Sequence, residues 1–206
     1  MAQGVTVWFT GLSGSGKTTI AKRVEAELKG RGVSVERLDG DVLRQSLTRD
    51  LGFSKEDREK NLERATFVAK LLTRNETVVL SAFIAPYKSA RDKIRAEIGN
   101  YLEVYVKASM DTLISRDLKG LYKKALAGEI KDFTGVDDPY DEPQNPELVL
   151  DTDQLSVEEC TKKVLALLAS RGHIPPVGDL ETFEVRPAAG DRSGVEIPGP
   201  IAPHGG

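Results

Sequence analysis

Short apolar, β-branched runs alternate along this chain with stretches in which apolar residues recur every three or four positions. The runs at 5–10, 34–38, 77–83, 101–107 and 148–150 predict strands. The helical periods predict helices near 17–29, 41–47, 55–74, 87–98, 110–117 and 157–170. In the first helix Ile20, Val24 and Leu28 share a face; in the last, Val157, Cys160, Val164 and Leu167/Leu168 do. Ser54 with Asp57, and Ser156 with Glu159, have the spacing of N-cap pairs that open two of these helices. Regular strand–helix alternation predicts an α/β fold: a parallel sheet with helices on both faces.

From Gly172 onward the period disappears. Six of the ten prolines and seven of the nineteen glycines fall in residues 172–206, so the expected organisation is one folded domain over 1–171 and an extended or disordered tail over 172–206. The 206-residue length suffices for one domain with a real core, and no internal repeat is visible. A formal net charge of −3 supplies no global positive field, so nucleic acid is not an expected partner and an anionic substrate must be held by local cations. No apolar run reaches membrane-spanning length, and the first strand starts almost at once, leaving no room for a signal peptide. A cytoplasmic protein with no membrane partner is expected. The lone Cys160 excludes an internal disulfide and reads as a buried thiol, while His173 and His204 both fall in the tail. General base chemistry in the domain is therefore expected from a carboxylate, Lys or Tyr.

Residues Gly11-Leu12-Ser13-Gly14-Ser15-Gly16-Lys17-Thr18 match G-x-x-x-x-G-K-[ST] in full, between the first strand and the first helix. Glycines let the backbone curl so that its N–H groups point inward, and the helix N-terminus adds partial positive charge. The spacing predicts a nucleotide-phosphate cradle in which Lys17 reaches the β/γ-phosphates and Thr18 can ligate Mg²⁺.

Asp39-Gly40-Asp41 follows the second strand, where the ligand crevice of an open α/β sheet forms. One carboxylate can orient Mg²⁺ or its water, and the other can accept a proton from an attacking hydroxyl. The third strand runs out in Ser81-Ala82-Phe83 without a Walker-B aspartate, so Asp39 or Asp41 must serve the metal. Arg58 and Asn61 are spaced i, i+3 and, with Arg44, can form a basic pocket for an anionic head group. The basic, glycine-punctuated stretch around Lys119 and Leu121–Phe133 has lid composition, with Phe133 able to stack on a base.

These stretches together resemble the adenylylsulfate kinase (APS kinase) family, a P-loop kinase family with a three-layer fold and a lid. The resemblance rests on G-L-S-G-S-G-K-T-T, L-D-G-D-x-x-R, L-G-F-S-x-x-D-R-x-x-N, F-I-x-P-Y, K-G-L-Y-K-K-A and F-T-G-V-D-D-P-Y, in unbroken order over about residues 4–170. It implies transfer of the ATP γ-phosphate to the 3′-hydroxyl of adenosine 5′-phosphosulfate (APS), giving 3′-phosphoadenosine 5′-phosphosulfate (PAPS) in sulfate assimilation, with Mg²⁺ as cofactor.

Carried over, the resemblance makes Asp41 the base, with Lys17 and Lys119 acting at the phosphates. The phosphate loop, Thr19 and Arg116 would bind ATP. Asp39, Arg44, Arg58, Asn61, Ile84, Lys119 and Leu121 would line the APS site, with Phe53 and Phe133 sandwiching its adenine. Thr18 and Asp39 would serve the metal. A lid is expected over about 116–142. The family also implies a homodimer and allows an association with ATP sulfurylase. A different class of function, a catalytically silent APS/PAPS-binding regulatory module, is the alternative, against which stand the retained Lys17, Thr18, Asp41 and Arg58. One departure matters. Many bacterial relatives carry a phosphoserine in I-S-P-Y, where this chain has Ala85 and no hydroxyl to phosphorylate.

Overall fold

The computed structural model describes residues 3–117 and 119–176. Five strands, β1 (Val5–Thr10), β2 (Val35–Asp39), β3 (Val78–Ala82), β4 (Tyr101–Lys107) and β5 (Leu148–Asp151), form one sheet in the order β2-β3-β1-β4-β5. Every pairing is parallel. The helices are α1 (Lys17–Gly30), α2 (Gly40–Leu43), α3 (Lys55–Arg74), α4 (Lys88–Ile98), α5 (Met110–Ser115), α6 (Leu121–Leu126) and α7 (Val157–Ser170).

The central strand β1 is buried along its whole length, as a strand covered on both faces must be. Its alternation divides the core in two. Val5, Val7 and Phe9 join the apolar faces of α1 and α7, through Ile20, Val24, Leu28, Val164 and Leu168. Trp8 turns to the other side, among Leu62, Ala65 and Ala69 of α3 and Ile94 of α4, and stacks on Phe83 with ring centroids 5.1 Å apart. A three-layer helix–sheet–helix sandwich results, with the C-terminal ends of all five strands at one edge. Both anticipated N-caps form: Ser54 Oγ accepts from Asp57 N, and Ser156 with Glu159 makes a reciprocal capping box. Cys160 is buried in the core, and burial pushes its thiol up to about 11. No described helix is long and apolar enough to cross a membrane.

Two expectations change. The stretch anticipated as lid loop contains a short helix, α6, whose first free N–H groups at Leu121, Tyr122 and Lys123 are taken by the Asp117 carboxylate. Too short for a visible apolar period, it is held by this cap. The folded domain also continues past Arg171. Gly172, at φ 75°, ends α7 in a Schellman turn with His173 N donating to Leu168 O. That turn folds Ile174 into the core and buries His173, whose Nδ1 lies 2.9 Å from Gln3 O. A histidine therefore does belong to the domain, in a packed position remote from the strand C-termini. A single turn back onto the core leaves no period for a sequence reading to detect. Residues 177–206, with His204 and the rest of the anticipated tail, lie outside the described residues.

Candidate active site

A cavity of about 940 Å³ opens at the C-terminal edge of the sheet. It is lined by the phosphate loop, the turn after β2, the start of α3, the segment after β3 and the lid. Every predicted site residue lines it except Gly11 and Leu12, which contribute backbone carbonyls beneath it.

The phosphate loop is shaped by backbone. Gly11 sits at φ 149°, and a Cβ there would fall 2.2 Å from Val106 O, so no other residue fits without moving β4. Gly16, left-handed at φ 103°, caps α1 without a side-chain acceptor, which leaves the helix's first N–H groups for an anion. Lys17 is buried and donates to Gly11 O (2.8 Å) and Leu12 O (2.7 Å). Burial lowers its ammonium to about 8, against the opposing pull of Asp39 and Asp41. Tyr122 OH donates to Ser13 O at 2.9 Å and ties the lid to this loop. Arg116 donates to Thr152 Oγ1 (3.0 Å) and Thr152 O (2.9 Å), and the Thr152 hydroxyl is 3.1 Å from Ser15 O.

The aspartate that ends β2 and the one in the first turn of α2 are in different surroundings. Asp39 is buried; its Oδ2 accepts from Thr18 Oγ1 (2.7 Å) and its Oδ1 caps α2 through Asp41 N (3.0 Å). A hydroxyl and a carboxylate oxygen thus stand together beside the phosphate loop, the hard-oxygen donors that Mg²⁺ takes. Asp41 is exposed to the cavity and accepts from Lys119 Nζ of the lid at 2.7 Å, a bond that raises the lysine's affinity for its proton. Asp39 is committed to the loop, whereas Asp41 is held only by an exposed pair of the kind that contributes little and exchanges readily.

The opposite wall is cationic and aromatic. Arg44 lies 4.3 Å from the Phe53 ring centroid and donates to Gly52 O at 2.8 Å. Its affinity for a proton is lowered by burial and then by the neighbouring Arg58, so two cations crowd where an anion would relieve them. Asn61 is buried, and its Oδ1 has no hydrogen-bond partner among the described residues. Phe133 packs edge-on against Tyr122, with centroids 5.0 Å apart. Phe53 is under Arg44 and Phe133 against Tyr122, so each ring of the expected sandwich has its own partner. Ile84 O accepts from Thr10 Oγ1 at 2.6 Å, which fixes the segment after β3 to the end of β1.

Arg58 lines the cavity, with most of its donors already engaged by the protein. Its Nε donates to Phe53 O (2.9 Å), its Nη1 to Thr134 Oγ1 (2.8 Å) and Asp138 Oδ2 (2.9 Å), and its Nη2 to Asp132 O. Of a guanidinium's five N–H groups, one remains for a ligand among the described residues. Several contributors had no role assigned from sequence. Asp138, Tyr87, Tyr122 and Thr152 join segments distant in the chain. Buried Arg91 donates to Ala85 O (2.8 Å) and Pro86 O (3.1 Å), and pairs with Glu103 at 3.1 Å. The first three lay inside the quoted motifs, which was the available signal; Thr152 and Arg91 carried none. Ala85 is buried at φ 44° beneath the cavity wall.

The adenylylsulphate kinase family model matches residues 3–151. An adenylyl-sulfate kinase of Halothermothrix orenii is 58% identical over 172 residues, 84% of this chain and 93% of its own. A probable bifunctional SAT/APS kinase 2 of Sorangium cellulosum is 50% identical over 203 residues, 98% of this chain and 35% of its own. Among solved structures, the APS kinase of Mycobacterium tuberculosis in complex with AMPPNP and APS superposes with a TM-score of 0.77 at 45% identity, covering 82% of this chain and 99% of that one.

Proposed function

The chain belongs to the adenylylsulphate kinase family, and on that premise we propose how its residues divide the work of phosphoryl transfer. The reaction is that of an adenylyl-sulfate kinase: ATP and APS give ADP and PAPS. One observation carries the assignment of roles. A single cavity holds a buried P-loop lysine, an exposed aspartate of α2 held by the exposed lid lysine Lys119, and a crowded arginine pair beside an unpartnered asparagine oxygen.

ATP phosphates take the place of the loop carbonyls now bonded to Lys17, whose positive charge meets the negative charge that builds on the phosphate oxygens in the transition state. Arg116, fixed by Thr152 beside the loop, serves the ATP side. Mg²⁺ would be held by Thr18 and Asp39, whose oxygens fit it, and when bound it neutralises charge on the β/γ-phosphates. Asp39 already caps α2 and bonds Thr18, so Asp41 is the base that takes the 3′-hydroxyl proton once Lys119 turns from it to the phosphates. Arg44, Asn61 and the remaining N–H of Arg58 meet the phosphosulfate, and Phe53 and Phe133 the adenine. Ala85 cannot accept a phosphoryl group, so transfer is direct. Incubation with labelled ATP alone should leave residues 80–90 unlabelled.

A coupled ADP-release assay tests the reading with APS, adenosine and gluconate as acceptors. Release with APS alone supports it; equal release with gluconate, or none with APS, overturns it. Pairing with a second copy of the chain, and a functional link to ATP sulfurylase, are further proposals. The bifunctional Sorangium relative supports the link, and light scattering of the purified protein tests the pairing.

A further inference from the structure

We propose that Asp138 is a positioning residue for APS: its carboxylate seats the lid on the substrate wall and holds the Arg58 guanidinium in place. The inference rests on the adenylyl-sulfate kinase reading above. Three segments far apart in the chain meet at this carboxylate. Oδ2 accepts from Arg58 Nη1 of α3 at 2.9 Å and from Thr134 Oγ1 of the lid at 3.0 Å. Oδ1 accepts from the Tyr87 hydroxyl, just ahead of α4, at 2.8 Å. The groups are largely shielded, with side chains 14% exposed at Asp138 and 19% at Arg58. An ion pair so shielded is screened far less than the open Lys119–Asp41 pair. The Tyr87 hydroxyl is driven further from ionisation, by burial first and then by the bond to Asp138, so it remains a donor.

The backbone around Asp138 closes the same joint. Gly135 N donates to Asp138 O at 2.7 Å, and Asp138 N approaches Phe133 O at 3.3 Å. Thr134 and Asp138 form an isolated bridge. The turn presenting Phe133 to the cavity is therefore closed by Asp138, whose side chain also fixes Arg58. Two cavity-lining residues on the APS wall depend on one carboxylate that is not among the cavity's lining residues. The ATP side involves none of these bonds: Lys17, Thr18 and Arg116 find their partners in the loop, Asp39 and Thr152. Losing Asp138 should therefore separate the two substrates.

The test is steady-state kinetics on the full chain. Asp138→Ala should raise the KM for APS by roughly ten- to a hundredfold, the range of a lost charge-assisted contact, and leave the KM for ATP within about twofold. Tyr87→Phe alone should raise the KM for APS several-fold. Made on top of Asp138→Ala it should add little, because its acceptor is already gone. Amides of residues 132–136 should exchange hydrogen faster in Asp138→Ala. Equal increases in both KM values, an unchanged KM for APS with only a lower Tm, or an undiminished Tyr87→Phe penalty in the double variant would each overturn the proposal. If Asp138→Ala does not fold, Asp138→Asn and Tyr87→Phe carry the same readout, and an unchanged KM for APS in both overturns it. A wild type that releases no ADP with APS overturns the underlying reading. A wild type that does, beside variants with normal APS kinetics, overturns this inference alone.

Discussion

The two walls of the cavity are built by different means. The phosphate-loop wall is made of backbone: glycine conformations, a helix N-terminus and a lysine folded onto two carbonyls. The lid wall is made of side chains from separate segments tied to one another, Arg58 to Asp138, Tyr87 to Asp138 and Lys119 to Asp41. The first kind is set by the backbone itself, and on the proposed roles ATP would replace the bonds Lys17 makes to Gly11 O and Leu12 O. The second kind is graded in strength. The Lys119–Asp41 pair, with side chains 68% and 75% exposed, lets go easily, while the shielded Asp138 joint holds. On the proposed roles, the lid would free Asp41 while the Asp138 joint keeps it seated on the Arg58 wall.

Asp41→Asn should show the largest effect, lowering kcat by roughly 10²–10⁴ if the carboxylate takes the hydroxyl proton. Titration with AMPPNP should show ATP-site affinity intact. A collapse of nucleotide affinity with turnover largely kept would move Asp41 to the metal and make Asp39 the base.

Lys17→Ala comes next, at on the order of 10²–10³ in rate, typical of removing one transition-state charge contact. Near wild-type turnover in a folded variant would break the division, because the fixed wall would then contribute nothing to the chemistry.

A smaller effect concerns stability. Burial holds Lys17 at about 8 in the fold, against 10.5 for an ordinary lysine. Between those values the unfolded chain binds more protons, so unfolding free energy from this group rises with pH. Relative to Lys17→Met, the wild type should gain stability as pH climbs from about 8 toward 10 in denaturant titrations. Parallel profiles for the two proteins would show that the lysine is not held desolvated.

The contrast also explains what could be read from sequence. The five strands, the sheet's parallel character and the loop around Lys17 were legible, because each is written in a contiguous run with its own period or glycine spacing. Asp39 and Asp41 could be located but not told apart. Only the bond from Thr18 and the cap on Asp41 N separate them, and both depend on tertiary placement. Arg58 can be singled out by its spacing from Asn61, yet most of its donors go to the lid, partners more than seventy positions away in the chain. Ile174 and α6 were missed because a single turn against the core leaves no repeating pattern.

The division of the cavity is tested most directly by calorimetric titration of AMPPNP and of APS into Arg116→Ala and Arg44→Ala. The account predicts that Arg116→Ala weakens AMPPNP and leaves APS nearly unchanged, and that Arg44→Ala does the reverse, each by roughly tenfold or more. If each variant weakens both ligands equally, the two walls do not serve separate substrates and the account is wrong.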